Sequence, residues 1–467
     1  MPPRVAVVGG GIAGLAAAWD LAGSGAEVAI YEPGHLGGKL VTSEFMGRPV
    51  DEGPDAMLAR VPEGVALCAE LGLSGELEPP AASEALVWAR GKLRPLPHGL
   101  VLGAPARLLP LARSGLLSAG ALARAAADLV LPATRRSEDE SVWDLVASRF
   151  GAGVAENLVG PLVGAIYAGS IRGLSAAVAA PQLLAAAKSN RSLLVALRAA
   201  GKRVGAGGSG PVFLAPKPGM QAIADRLVAA LRTKGAVVFR DEVTALRRDG
   251  QAIVVEPRGE SYSGAVLAAP APCTSRLLKA FGIGRGDLGA LDALQWASVG
   301  MVTVAISDGQ LTVPAGASGL LVAPGSEMLM TACSFGDNKW PHWGAPGATV
   351  LRVSVGKAGD ERWSSLTDEA LVDRTMQEVG LVLADGKALS PLGWRVSRWP
   401  AALPQYPVGH FQQMAALRAA LNEEAPTVFL AGASYGRVGV PACIGSGRQA
   451  ATSVVQSLRA LNEPSPR

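Results

Sequence analysis

Three glycines and one glutamate at the head of the chain have a spacing that can do chemistry: Gly9-x-Gly11-x-x-Gly14, with Glu32 18 positions after Gly14. Such a set serves where backbone must meet phosphate. Gly9 permits a tight turn, Gly11 withholds a side chain where a pyrophosphate approaches, and Gly14 lets a helix lie close on a strand. N–H groups at the helix start then face the anion, with Gly10, Ile12 and Ala13 completing the turn. Glu32 accepts from both ribose hydroxyls, and its charge disfavours a 2′-phosphate. The chain carries its own control. Gly205-Ala-Gly207-Gly-Ser-Gly210 has the same spacing but follows Lys202-Arg203 and precedes Pro211, with neither strand nor helix in register. It reads as loop.

The rest of the chain offers little reactive chemistry. Cys68, Cys273, Cys333 and Cys443 are far apart, as are His35, His98, His342 and His410, so neither zinc nor a disulfide framework is expected. We find no plausible nucleophile triad or carboxylate pair. A net charge of +4 from 43 basic and 39 acidic residues, scattered along the chain, excludes a nucleic-acid footprint. No apolar run reaches the roughly 18 residues of a spanning helix. No signal peptide is expected before the apolar run at Val5, and the dispersed cysteines make a reducing cytosol the expected compartment.

The elements that must hold the glycine set are legible. Arg4–Val8 reads as a buried parallel strand, Leu15–Leu21 as an Ala-rich helix ended by Gly23 and Gly25, and Glu27–Tyr31 as the second strand. With 467 residues, 49% hydrophobic and 18% charged, the chain is folded and large enough for about three domains. A helical, Ala/Leu-rich middle runs from about 100 to 200, then 201–211 reads as a flexible linker. Helix Met220–Arg232 and strands at 236–239, 243–247, 252–256 and 265–269 follow. From 294 to 398 short strands alternate with turns, and the chain closes with strand Val428–Ala431, a glycine turn and helix Ile444–Leu461.

Pro33-Gly-His-Leu-Gly37-Gly38-Lys39 and Val50-Asp-Glu-Gly53-Pro54-Asp55 resemble the extended signature of the flavoprotein family that includes amine oxidases and phytoene desaturases. In that family a Gly-Gly-Arg/Lys turn follows the ribose-binding Glu, and a Gly-Pro turn lies under the flavin. The resemblance implies FAD. It also implies an α/β fold: a Rossmann-like FAD-binding domain of the amine oxidase/p-hydroxybenzoate hydroxylase type, with an inserted α+β substrate domain and a helical domain. The expected divisions are 1–82 with 212–285 and 400–467 for FAD, 83–99 with 286–399 for substrate, and 100–211 for the helices. Lys39 keeps the charge of the commoner Arg but loses its fork. Implied flavin contacts are Gly38, Lys39, Gly53, Pro54, Asp55, Ala56, Met57, Val243, Ala269 and Trp399.

Within that family the C-terminal stretch Gly432-Ala433-Ser-Tyr435-Gly-Arg-Val438-Gly439-Val440-Pro-Ala-Cys443-Ile444 is similar to porphyrinogen oxidases of haem biosynthesis. Amine oxidases usually place Gly-Glu after that strand. Gly164-Ala165-Ile-Tyr167-Ala-Gly169-Ser170, Trp399 through Pro404-Gln405-Tyr406 to His410, and Gly91-Lys-Leu-Arg94 agree with the same group. The segment from Ala332-Cys333-Ser334-Phe335 to Lys339-Trp340-Pro341 resembles the Gram-positive coproporphyrinogen III oxidases. Ala165 stands where Gly is usual and Ser170 where Asp is usual, departures expected to narrow the pocket near the reacting carbon or shift the substrate ring.

The resemblance implies oxidation of coproporphyrinogen III to coproporphyrin III, with O2 as acceptor and H2O2 released. Arg94 is the implied carboxylate anchor, Ala165 and Tyr167 line the pocket, and Leu321 and Phe335 sandwich the ring. Each of these side chains could instead serve packing. His410 is expected to be structural, and no side chain is assigned as base. Protoporphyrinogen IX is the alternative substrate; amine oxidation, carotenoid desaturation and a flavin-binding scaffold are the more distant readings. Product hand-over to a haem-pathway partner, and peripheral contact of the helical segment with the inner membrane face, are compatible with this reading.

Overall fold

A computed structural model describes residues 1–133, 136–205, 210–284 and 288–462. Strand Arg4–Val8 lies at the centre of a five-stranded parallel sheet. The order is Val237–Phe239, Glu27–Tyr31, Arg4–Val8, Gly264–Leu267 and Val428–Leu430, so distant parts of the chain share one layer. Alternation along Arg4–Val8 feeds a core on each face. Val5 and Val7 join the cluster containing Leu15 and Leu21, while Ala6 and Val8 join the one containing Leu277 and Tyr435. This is why the strand is apolar at successive positions rather than at every second one. Helix Ile12–Gly23 packs on the last helix, Val440–Asn462, so closely that a Cβ at Gly447 would stand 2.0 Å from the Ala13 carbonyl oxygen.

A second, seven-stranded sheet has the order Pro391–Gln405, Gln295–Ser307, Ala348–Val355, Met330–Phe335, Ala317–Val322, Glu84–Ala89 and Lys92–Pro95. Its pairings are antiparallel except that Ala317–Val322 runs parallel to Glu84–Ala89. The expectation of short strands across 294–398 is corrected here. Gln295–Ser307 has 13 residues and Pro391–Gln405 has 15, bent at register shifts that interrupt their sequence pattern. The helix Asp368–Leu383 was missing from that expectation. Its signals are present: the Thr367 hydroxyl accepts from Ala370 N–H, and Asp368 and Glu369 fill the first turn.

The segment between 108 and 205 is helical, built on a core that includes Phe150, Leu158 and Val163. Inside it Arg149 Nε meets Asp128 Oδ1 at 2.6 Å, and Asp128 Oδ2 accepts from the Ser192 hydroxyl and from Leu194 N–H. The linker expectation at 201–211 is shortened, because helix Leu193–Gly205 continues into it. Residues 206–209, with most of the second glycine motif, lie outside the described residues. No described helix is long and apolar enough to cross a membrane.

Candidate active site

One large cavity, of about 1960 Å³, runs from the Gly9–Gly14 turn to the helical segment around residues 155–172. A pocket for one drug-sized ligand measures roughly 300–1,000 Å³, so this space suits a dinucleotide and a second large molecule together.

At the nucleotide end backbone forms the wall. A Cβ on Gly11 would meet nothing within 4 Å, whereas one on Gly14 would come 1.9 Å from the Gly9 carbonyl oxygen. Gly11 therefore faces open space and Gly14 makes the close approach of helix to turn. Glu32 is held in place because its Oε2 accepts from Gly10 N–H at 2.8 Å and its Oε1 from Gly34 N–H at 2.8 Å. Glu32 itself lines the cavity. Gly9, Ile12, Ala13, Pro33, Gly38, Lys39, Gly53, Pro54, Ala56 and Met57 line the same end. So do Val243, Ala269, Trp399, Gly432, Val438, Gly439 and Val440. Gly10 and Gly14 stand behind this surface. The open space at Gly11, with a carboxylate fixed one strand away, fits a flavin dinucleotide.

Asp55 points away from the cavity. It anchors the flavin loop to the second sheet, meeting Lys339 Nζ at 2.8 Å and Arg352 Nη1 at 3.3 Å. Burial opposes its ionisation, but Lys339 and Arg352 outweigh burial and hold the carboxyl at about 2. Arg352 Nη2 also donates to the Gly53 carbonyl at 2.7 Å, and Trp399 Nε1 donates to Glu52 O at 3.1 Å. Four residues before Asp55, Asp51 has the opposite balance. Burial pushes it up to about 6, although Thr42 O–H and Met220 N–H donate to it. Lys39 opens onto the cavity, and enclosure by the walls lowers its pKa against the pull of Cys443. Burial raises the Cys443 thiol to about 11, so it stays protonated.

At the other end the structure brings Ala165 to the cavity wall and places four expected substrate residues behind it. Arg94 lies against Gly115, where a Cβ would meet its Nη1 at 2.5 Å. Tyr167 donates to Val178 O at 3.4 Å and sets its ring edge-on to Tyr406 at 6.0 Å. Leu321 packs on the helical core, and Phe335 is fully buried with Leu351 and Val353 in the second sheet's core. The physical reason is shared: strand alternation and helix packing turn these side chains inward. His410 is buried away from the cavity, 4.8 Å from the Tyr406 ring centroid, and burial with Arg418 nearby lowers it to about 4. It is a neutral packing residue.

Sequence reasoning did not single out Arg60, Trp143, Arg172, Trp296, Met330 or Lys357 as cavity residues, yet all line it. They come from helix, strand-end and loop positions with no shared motif. Among the described residues no cluster of His, Cys, Asp or Glu could hold a metal.

The model of the family described as flavin containing amine oxidoreductase matches residues 12–455. A coproporphyrinogen III oxidase of Bacillus subtilis is 32% identical, with 97% of this chain and 98% of that protein covered. The Mycobacterium tuberculosis protein of the same name is 36% identical over 98% and 99% of the two chains. A crystal structure from Exiguobacterium sp. 255-15, assigned as a protoporphyrinogen oxidase, superposes with a TM-score of 0.87 at 29% identity. It covers 98% of this chain and 99% of its own. With the cradle and the carboxylate in place, the chain belongs to the flavin containing amine oxidoreductase family, among its porphyrinogen oxidases, and its cofactor is FAD.

Proposed function

We propose that the protein oxidises coproporphyrinogen III to coproporphyrin III, with O2 as terminal acceptor and H2O2 released. The observation that carries this reading is the large continuous cavity, which runs from the dinucleotide end to the helical segment and at about 1960 Å³ has room for a tetrapyrrole beside a dinucleotide. FAD, when bound, supplies the redox chemistry by accepting electrons in pairs. The chain contributes position and enclosure. Glu32 holds the ribose, Gly11 gives room to the pyrophosphate, and the loop carrying Gly53 and Pro54 is braced from behind by Arg352. Leu162, Ile166, Met301 and Met330 give the second space apolar walls that exclude water from the reacting carbon. Cys443 stays a thiol and His410 lies elsewhere, in keeping with a reaction that needs no dedicated side-chain base.

Protoporphyrinogen IX is the second reading, favoured by the likeness to the Exiguobacterium structure. The test is to give the FAD-loaded protein each porphyrinogen in air and follow porphyrin fluorescence against a control without protein. Faster turnover of coproporphyrinogen supports the proposal; faster turnover of protoporphyrinogen replaces it. Failure with both, alongside flavin bleaching by an amine, removes it. A peripheral membrane contact would use Leu109 and Val130, which are 61% and 76% exposed on the helical segment. Co-sedimentation with anionic vesicles, lost in a Leu109→Ser, Val130→Ser double variant, is the corresponding check. Direct product transfer would appear as porphyrin leaving the complex faster when a haem-pathway partner is added.

A further inference from the structure

Substrate carboxylates must lose water on entering an apolar cavity, so a tetracarboxylate needs cations in the wall. Among the described residues four lysine and arginine side chains line this one: Lys39, Arg60, Arg172 and Lys357. Lys39 belongs to the dinucleotide end, and Arg60 follows the strand Met57–Leu58 near the flavin loop. Arg172 is already engaged. Its guanidinium stands 3.4 Å from the centroid of the Trp143 ring and 3.2 Å from Glu156 Oε1.

Lys357 differs from all three. Its side chain is exposed to the cavity and makes no ion pair among the described residues. The nearby carboxylate, Asp360, is hydrogen-bonded at both oxygens by Arg362, at 2.8 Å each, so Lys357 acts on it only through space and makes no hydrogen bond or ion pair with it. The backbone beneath it is fixed. Gly356 has φ +86°, a Cβ there would stand 2.7 Å from Ser298 O, and Ala358 N–H donates to Ala168 O at 2.7 Å. That last bond ties the Lys357 turn to the C-terminal end of helix Gly160–Tyr167, whose Ala165 itself lines the cavity. From this geometry we propose that Lys357 binds a carboxylate of the substrate at the end of the cavity away from the dinucleotide. The inference rests on the porphyrinogen reading above and names the residue that grips the substrate's charge.

The test compares wild type with Lys357→Gln and Lys357→Arg in full-length, FAD-loaded protein. One readout is direct: the Kd for coproporphyrin III by fluorescence titration, with its uncharged tetramethyl ester as the control ligand. The other is KM and kcat for coproporphyrinogen III. Losing one charge-assisted hydrogen bond weakens binding by about ten- to a hundredfold. Lys357→Gln should raise Kd and KM by that factor, leave kcat within about twofold, and bind the ester as wild type does. Lys357→Arg should restore most of the loss. Unchanged Kd in Lys357→Gln, an equal loss with the ester, or no rescue by Arg overturns the assignment. If wild type turns over neither porphyrinogen, the functional reading falls, while the Kd comparison still decides whether Lys357 holds a carboxylate.

Discussion

The two ends of the cavity are built from different materials. The dinucleotide end is largely backbone, set by glycines and by one strand–turn–helix passage. The far end is side chain, contributed by a helix, a loop and the ends of strands that are distant in sequence. A backbone wall tolerates almost no added atom but is indifferent to most neighbouring side chains. A side-chain wall tolerates substitution and can be retuned one residue at a time. Behind the dinucleotide end lies the Asp55, Lys339 and Arg352 cluster, where loss of one group leaves buried charge uncompensated.

That contrast predicts a descending series of effects. Gly14→Val forces a side chain to within 1.9 Å of the Gly9 carbonyl, and should yield no soluble flavoprotein, checked by the flavin absorbance of the purified fraction. Arg352→Met removes a cation from buried Asp55 and the donor to Gly53 O. It should cost about 3–5 kcal/mol in urea unfolding, the usual cost of breaking a buried pair. Gly11→Ala has room in the protein itself, so apo-protein melting should hold within about 1 °C while FAD affinity falls by roughly tenfold or more. A fall in apo-protein stability like that of Gly14→Val would erase the distinction between packing and cradle glycines.

The pH dependence separates two neighbouring carboxylates. Asp51 has its folded pKa raised to about 6. Its contribution to stability is fully present below the unfolded value near 4 and is lost as pH rises through 6. Asp51→Asn should therefore be more stable than wild type at pH 7.5, by something on the order of 2 kcal/mol, with no advantage at pH 4. Asp55, held at about 2, runs the other way: its contribution stands above pH 4 and fades as pH falls towards 2. The smallest effect is expected at Arg94, which lies against Gly115 rather than on the cavity wall. Arg94→Ala should change KM for coproporphyrinogen by less than about twofold; a tenfold rise would return this residue to the substrate.

What was readable beforehand follows the same division. Gly9, Gly11, Gly14 and Glu32 announce themselves because phosphate recognition fixes both residue type and spacing in a short stretch. The parallel strands were visible as apolar runs for the same local reason. The long bent strands Gln295–Ser307 and Pro391–Gln405 were not, since their register shifts break the alternation that marks a strand. Phe335 and Tyr167 illustrate a further limit. Their positions in a motif say that they are near a site, but which way each side chain points depends on strands and helices packed from elsewhere. Lys357 carried no motif at all; its interest arises only when Arg362 is seen to occupy Asp360.

The closure of the nucleotide sheet by Val428–Leu430 and of the first helix by Val440–Asn462 has a consequence for biosynthesis. Chains leave the ribosome N-terminus first, at roughly 5–20 residues per second, so the flavin cradle waits some tens of seconds for its final strand. During that wait Gly264–Leu267 presents an open β edge, the kind of edge that pairs with the wrong neighbour. Cofactor capture is therefore an event of the nearly finished chain, and a nascent polypeptide stalled before Val428 is a candidate for chaperone holding rather than for flavin binding.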